Sequence, residues 1–317
     1  MPDVSIYPER VDATRTSFSA MVSWIELKTS NSTDPFEDST QDAYRDFEKS
    51  GTTNTAVGIR GQLASYAAAH MDSRWRLHSF TLLICGTHAR FMRWDRSAVI
   101  VSASFDYKKE PEHLANYLLR LNHASEDVLG IDSTIQPFKE PEGDSFRRHF
   151  PGDEDRPLHK VIVPSRDASG QGEAYVILAK PPRRLPSPFG RGTRTARAVL
   201  VRDSDKVHFL KDYWRVKCDG LHNEGEIYRL LEAAKVPHIP PFSNGNDMSG
   251  DHHTTIGHLY EGKSWDEDGN EQDQKGEATI SVYQHYRMTL GVVGKKLTAF
   301  RSTREYTGAI ADAMEGL

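Results

Sequence analysis

Two sets of residues in this 317-residue chain have types and spacing suited to handling phosphate. The first is Gly190-Arg191-Gly192-Thr193-Arg194, followed by Lys211 and then Glu224. Glycines let backbone amides approach phosphate oxygens closely, because no Cβ intrudes. A strand lysine can tie down the α- and β-phosphates of a nucleotide, and a helix glutamate can hold that lysine in place. The second set is Asp3, Glu26-Leu27-Lys28, Gln62 and Tyr66. Two carboxylates beside a lysine suit metal-assisted hydrolysis, in which the acids hold Mg²⁺ and the cation orients or activates water. On a strand, Glu26 and Lys28 share one face, since side chains alternate with a period of two. Each residue also has a plainer reading: a solvated strand-end lysine, a helix-surface acid, a simple turn, or the exposed face of a half-buried strand.

Other chemistry-like patterns fail on context. Gly257-His-Leu-Tyr-Glu-Gly262-Lys263-Ser264 spells G-x-x-x-x-G-K-S. A working phosphate loop needs a buried strand before it and a helix after it, so that amides and a helix N-terminus converge. Here NDMSGDHHTT leads in and WDEDGNEQDQKG leads out, so the expectation is coincidence in a loop. Asp251, His252, His253 and His258 in the same stretch lack the ordered frame that a zinc site wants, so no metal ligand is expected. The sequon at Asn31 is discounted because MPDVSIYPER is not a signal peptide.

The elements that must position these residues fall into two blocks. Residues 1–135 read as an N-terminal α/β domain. A strand is expected over 22–28, a helix over 55–70 from Ile59, Leu63, Tyr66 and Ala67, and a hairpin from 78–85 and 90–94 about Gly86-Thr87. A further strand follows over 98–105, then a helix opening at Pro111, where proline suits the first turn. Residues 136–173, rich in proline, glycine and charge, read as a linker. The block 174–317 carries strand signals over 174–180, 196–201, 207–210, 279–283 and 288–293. Its helix over 222–235 bears Ile227, Leu230, Leu231 and Ala234 on one face, expected to pack on the sheet, and 244–277 reads as a loop. A last helix opens at Ser302 with a Ser-x-x-Glu capping box to Glu305. The fold class expected is α/β then α+β: a mixed sheet with helices, then antiparallel strands with one main helix.

Composition narrows the function classes. Acids outnumber bases 45 to 40, which excludes a globally basic protein that coats nucleic acid. Two cysteines, Cys85 and Cys218, exclude a disulfide framework and a cysteine-rich zinc module. No run approaches the roughly 18 apolar residues of a membrane span. An intracellular location, cytoplasm or nucleus, is expected, with no membrane and no nucleic acid among the partners.

The order glycine loop, strand, strand with lysine, helix with glutamate is that of a protein-kinase small lobe. The stretches RGQLASYA (60–67), RFMRWDRS (90–97), GRGTR (190–194), LKDYW (210–214) and EGEIY (224–228) resemble the fungal-type protein kinase family, over most of the chain. That resemblance implies an N-terminal globular region followed by a kinase-like small lobe, with ATP and Mg²⁺ as cofactor and protein Ser/Thr as acceptor. It also implies Lys211 as the ATP-phosphate lysine, Glu224 as its partner, Gly190 and Gly192 as the phosphate cover, and Met288–Gly294 as the strand and hinge against adenine. Glu226 competes as the partner; Glu224 is preferred because Ile227 then falls on the packed helix face. Neither His-Arg-Asp nor Asp-Phe-Gly occurs, so no catalytic residue is expected and the chain reads as a truncated, inactive version ending before the catalytic lobe. Two other readings stand beside it. One is a non-catalytic module that binds nucleotide or a protein partner. The other is a Mg²⁺-dependent nuclease-like N-terminal domain, since Asp3, Glu26, Lys28, Gln62 and Tyr66 follow the order of a restriction-endonuclease-like core.

Overall fold

The computed structural model describes residues 1–8, 17–36, 38, 53–138, 144–152, 156–167, 170–178, 187–260, 263–265, 271–273 and 280–316. In chain order, residues up to 133 supply strands β1 (Val4–Ile6) and β2 (Ser23–Lys28), helix α1 (Asn54–Ser73), strands β3 (Ser79–Cys85), β4 (His88–Trp94), β5 (Val99–Val101) and β6 (Phe105–Asp106), and helix α2 (Pro111–His123). Then come β7 (Ile135–Pro137), α3 (Asp144–Arg147), β8 (Leu158–Val163), β9 (Glu173–Leu178), β10 (Arg194–Leu200), β11 (Val207–Val216), α4 (Glu224–Ala233) and β12 (Phe242–Asp247). A two-stranded ribbon, β13 (Lys263–Trp265) and β14 (Glu271–Asp273), precedes β15 (Tyr283–Leu290) and α5 (Thr303–Glu315). These elements sort into two compact units. Residues 1–133, 181–192 and 250–283 form the first, and 134–180, 193–249 and 284–317 the second.

The first unit is built on a mixed sheet in the order β1-β2-β3-β4-β5, with β6 also on β4. β2 and β3 run parallel, whereas β1–β2, β3–β4 and β4–β5 are antiparallel. A parallel pair needs a long crossover, and α1 lies in that connection. Thr53 caps α1 by accepting from the Ala56 amide at 3.2 Å. Ile59, Leu63, Ala67 and Met71 then repeat at helical spacing and bury against Trp24, Leu83, Met92 and Trp94 of the sheet. The strand expected over 98–105 is instead two short strands, β5 and β6, and between them the Ser102 hydroxyl accepts from the Phe91 amide at 3.0 Å.

The second unit is a seven-stranded sheet ordered β12-β15-β11-β10-β9-β8-β7. The pairs β7–β8, β8–β9, β9–β10, β10–β11 and β12–β15 are antiparallel. Four expectations need correction here. The strands expected over 279–283 and 288–293 are one strand, β15, which runs through the polar residues between them. The segment 136–173 is not merely a linker, for it supplies β8, in which Leu158, Val161 and Val163 are the buried positions. That short apolar pattern is diluted by the polar residues around it. The stretch 244–277 is not wholly loop either. Asn244–Asp247 extend β12, and Gly245 is needed because an added Cβ would lie 2.5 Å from the Met288 side chain. Finally, the α4 stripe does not pack on the sheet: Ile227 and Leu230 are 45% and 58% exposed, and only Gly225 of α4 is fully buried. Tyr228 makes the contact instead, stacking on Phe242 at 5.7 Å. Among the described residues no helix is long and apolar enough to cross a membrane.

Candidate functional site

β11 presents Lys211 and Asp212 to opposite faces of the sheet. The Lys211 ammonium donates to both Glu224 oxygens, at 2.8 and 2.6 Å, and sits 4.7 Å from the Tyr213 ring centroid. The two side chains are 23% and 24% exposed, so the pair is sheltered yet reachable from solvent. Glu224 is placed by the start of α4. Asn223 is the N-cap, its side chain accepting from the Glu226 amide at 2.9 Å, while the Glu226 carboxylate accepts from the Asn223 amide at 2.8 Å. This reciprocal capping box occupies Glu226, and the amide bond holds its carboxyl below the usual range. Glu224 is therefore the acid that meets Lys211, but not for the reason drawn from the sequence, since Ile227 is exposed. The buried Tyr286 hydroxyl accepts from the Gly225 amide at 2.9 Å and reaches Asn223 Oδ1 at 3.3 Å, pinning the helix start to β15.

Behind the lysine, Asp212 anchors β11. Arg287 Nε donates to Asp212 Oδ2 at 2.7 Å, and His285 Nε2 lies 3.0 Å from the same oxygen. Arg287 also donates to Thr134 Oγ1 and to the Ile162 carbonyl. Burial pushes the Asp212 carboxyl up, but attraction to His285 and Arg287 outweighs it and holds the group below the usual carboxylate range. A buried charge persists only when paired in this way. Sequence reasoning missed this cluster, because the apolar pattern sets His285 and Arg287 between two strands, whereas both lie inside the single strand β15.

Gly190 and Gly192 belong to the first unit. The Gly190 amide donates to the Arg96 carbonyl at 2.8 Å, and Arg96 Nη1 donates to the Pro188 carbonyl at 3.0 Å. Gly192 has φ +49, and a Cβ there would lie 2.7 Å from Arg96 Cζ. Phe189 stacks on Trp94 at 6.1 Å. These glycines thus fit the chain over the RFMRWDRS stretch. Of the segment Met288–Gly294, β15 covers residues up to Leu290, and the rest is exposed.

The second set of residues also converges, on one edge of the first unit. Lys28 Nζ donates to Glu26 Oε1 at 2.6 Å and to Gln62 Oε1 at 3.1 Å. Gln62 Nε2 donates to the Tyr66 hydroxyl at 3.1 Å, one helical turn on, and Tyr66 donates to the Met1 carbonyl at 2.9 Å. The Leu27 amide donates to Asp3 Oδ2 at 2.9 Å. Glu26 is 1% exposed, and its Oε2 is buried with no hydrogen-bond partner.

Among the described residues the phosphate-loop lookalike has neither a strand leading directly into it nor a helix leaving it: Gly257 opens a short 3-10 turn and Lys263 starts β13, while Gly262 lies outside the described residues. His252 packs on the His78 ring at 5.4 Å. Among the described residues, no three or more His, Cys, Asp or Glu converge to hold a metal ion.

A family model described as fungal protein kinase matches residues 21–317. Comparisons with curated proteins and with solved structures give no match.

Proposed function

This chain belongs to the fungal protein kinase family, and on that premise we propose that its second unit is a nucleotide-gripping small lobe for ATP with Mg²⁺. The observation that carries this reading is the Lys211–Glu224 pair on β11 and α4, with its bonds of 2.8 and 2.6 Å. An ammonium has three donors. Glu224 takes two and fixes the group, which leaves a third for an α- or β-phosphate oxygen. The pair's partial exposure suits a ligand that arrives from solvent. Mg²⁺, arriving with ATP, would neutralise phosphate charge, while the protein's own part here is to orient the lysine. By family resemblance Gly190 and Gly192 would cover the phosphates, and the chain beyond β15 would meet adenine; neither role carries the reading.

His-Arg-Asp and Asp-Phe-Gly are absent from the 317 residues. The proposal therefore assigns these residues nucleotide binding without phosphoryl transfer of their own, transfer to a protein Ser or Thr inside the cell being what the family resemblance implies. The test is thermal melting with Mg²⁺-ATP. A ligand at 100 times its Kd stabilises a folded protein by about 2.7 kcal/mol, so the melting temperature should rise. The rise should vanish in Lys211→Met. No shift in the unmutated chain at millimolar Mg²⁺-ATP would sink the reading.

A further inference from the structure

The first unit holds a second phosphate-handling arrangement, independent of the nucleotide grip. Its central feature is Glu26, whose Oε2 is buried without a hydrogen-bond partner. Leaving a buried polar atom bare is costly, the more so for a charged one, and a cation placed against that oxygen removes the cost. The groups around it are those a cation site for phosphate would need. In the β1–β2 register Val4 faces Ile25, so the next pair outward sets Asp3 beside Glu26. The Leu27 amide orients the Asp3 carboxylate at 2.9 Å. Lys28 stands on the same strand face as Glu26, held by it at 2.6 Å and by Gln62 at 3.1 Å. The relay Gln62–Tyr66–Met1 carbonyl ties α1 back to the segment that carries Asp3.

We propose that Asp3 and Glu26 hold one Mg²⁺ ion and that this unit hydrolyses phosphodiester bonds of a polynucleotide, with Lys28 positioning the attacking water. Two carboxylates suffice, because Mg²⁺ keeps several waters and takes the rest of its shell from substrate phosphate. In the step, the water oxygen bonds to phosphorus as the bond from phosphorus to the leaving sugar oxygen breaks. The water's proton passes to solvent, and the leaving oxygen takes a proton from a Mg²⁺-bound water. Lys28 remains a cation beside the developing negative charge. A purely structural ion pair would account for the Lys28–Glu26 contact but not for the bare Oε2, nor for Asp3 set next to it.

The test uses the whole chain with end-labelled duplex DNA, single-stranded DNA and single-stranded RNA, in Mg²⁺ or in chelator. Fragments that form only with Mg²⁺ are expected, and the arm that yields them identifies the polymer. Glu26→Gln, close to isosteric, should abolish cleavage and weaken Mn²⁺ binding measured by calorimetry, with circular dichroism unchanged. Asp3→Asn, at an exposed position, should do the same should Glu26→Gln fail to fold. Gln62→Ala should lower the rate roughly 10–100-fold, as expected for a group that orients an active one. The proposal is overturned by no cleavage in any arm, by undiminished cleavage in Glu26→Gln or Asp3→Asn, or by Mn²⁺ binding equal in variant and unmutated chains. It is also overturned if Glu26→Gln only lowers the melting temperature, with the divalent cation having no effect on either protein.

Discussion

Gly192 carries two constraints at once: φ +49, and a guanidinium carbon 2.7 Å from where a Cβ would stand. Gly190 carries only the first, with φ +88 and open space about the Cβ position. Left-handed backbone costs a side chain roughly 1–2 kcal/mol. Arg96 is 1% exposed and bonded to the Pro188 carbonyl, so it cannot simply swing away. Gly192→Ala should therefore destabilise the protein by roughly 2–3 kcal/mol and Gly190→Ala by about 1 kcal/mol, read from urea midpoints. Equal midpoints for the two variants would refute the contact with Arg96 as the cause. From the sequence these glycines suggest a turn over phosphate; their packing partner, 94 and 96 residues earlier, is invisible to any local window. The choice between Glu224 and Glu226 shows the same limit at shorter range. Both are acids in one helix turn, and only the capping bonds at Asn223 decide which is free to meet Lys211.

At the scale of elements, the start of α4 governs the site more than its length does. Asn223, Gly225 and Tyr286 form one bonded unit that sets where Glu224 points. An added Cβ at Gly225 would lie 2.5 Å from the Tyr286 hydroxyl and 2.8 Å from Phe242 Cζ, and Tyr286 is fully buried. Gly225→Ala should thus displace the helix start and reduce the ATP-dependent rise in melting temperature, despite alanine's better helix propensity. Asn223→Ala should cost about 1 kcal/mol through the lost cap. If Gly225→Ala is stabilising and ATP still shifts the melt, the packing argument is wrong. Most elements were legible because their own patterns are strong: α1 from its apolar spacing, the β3–β4 hairpin from Gly86-Thr87, α2 from Pro111. β8 and β12 were not, since six-residue strands in polar surroundings carry too few apolar positions to stand out. The α4 stripe was legible as a pattern but not as a contact, because periodicity shows which residues share a face and not what the face meets.

For the whole molecule, acid should be the effective denaturant. His78 is buried, and burial together with the Arg93 charge lowers its pKa to about 3; burial and Arg76 lower His70 as well. Between pH 6.5 and the folded pKa the unfolded chain binds more protons, so stability falls as pH falls. At pH 5 the loss from His78 alone is about 2 kcal/mol. Asp212 adds a later loss in the same direction, because a depressed carboxyl contributes fully above its ordinary pKa and loses that contribution on further acidification. The melting temperature should accordingly drop from pH 7 to pH 5; a flat profile there would contradict buried neutral imidazoles. A net excess of acids argues against coating nucleic acid, but cutting it needs only a local site such as Asp3, Glu26 and Lys28. By itself, the order of residue types along the chain determined the family likeness, the mixed first sheet and the lysine and acid able to pair, because motifs and periodicities are local. Only the tertiary structure decided that residues 181–192 and 250–283 join the first unit, that β8 completes the second sheet, that Glu224 rather than Glu226 meets Lys211, and that Glu26 keeps a bare buried oxygen. Those outcomes depend on which distant surfaces exclude water together, a free energy shared among residues far apart in sequence.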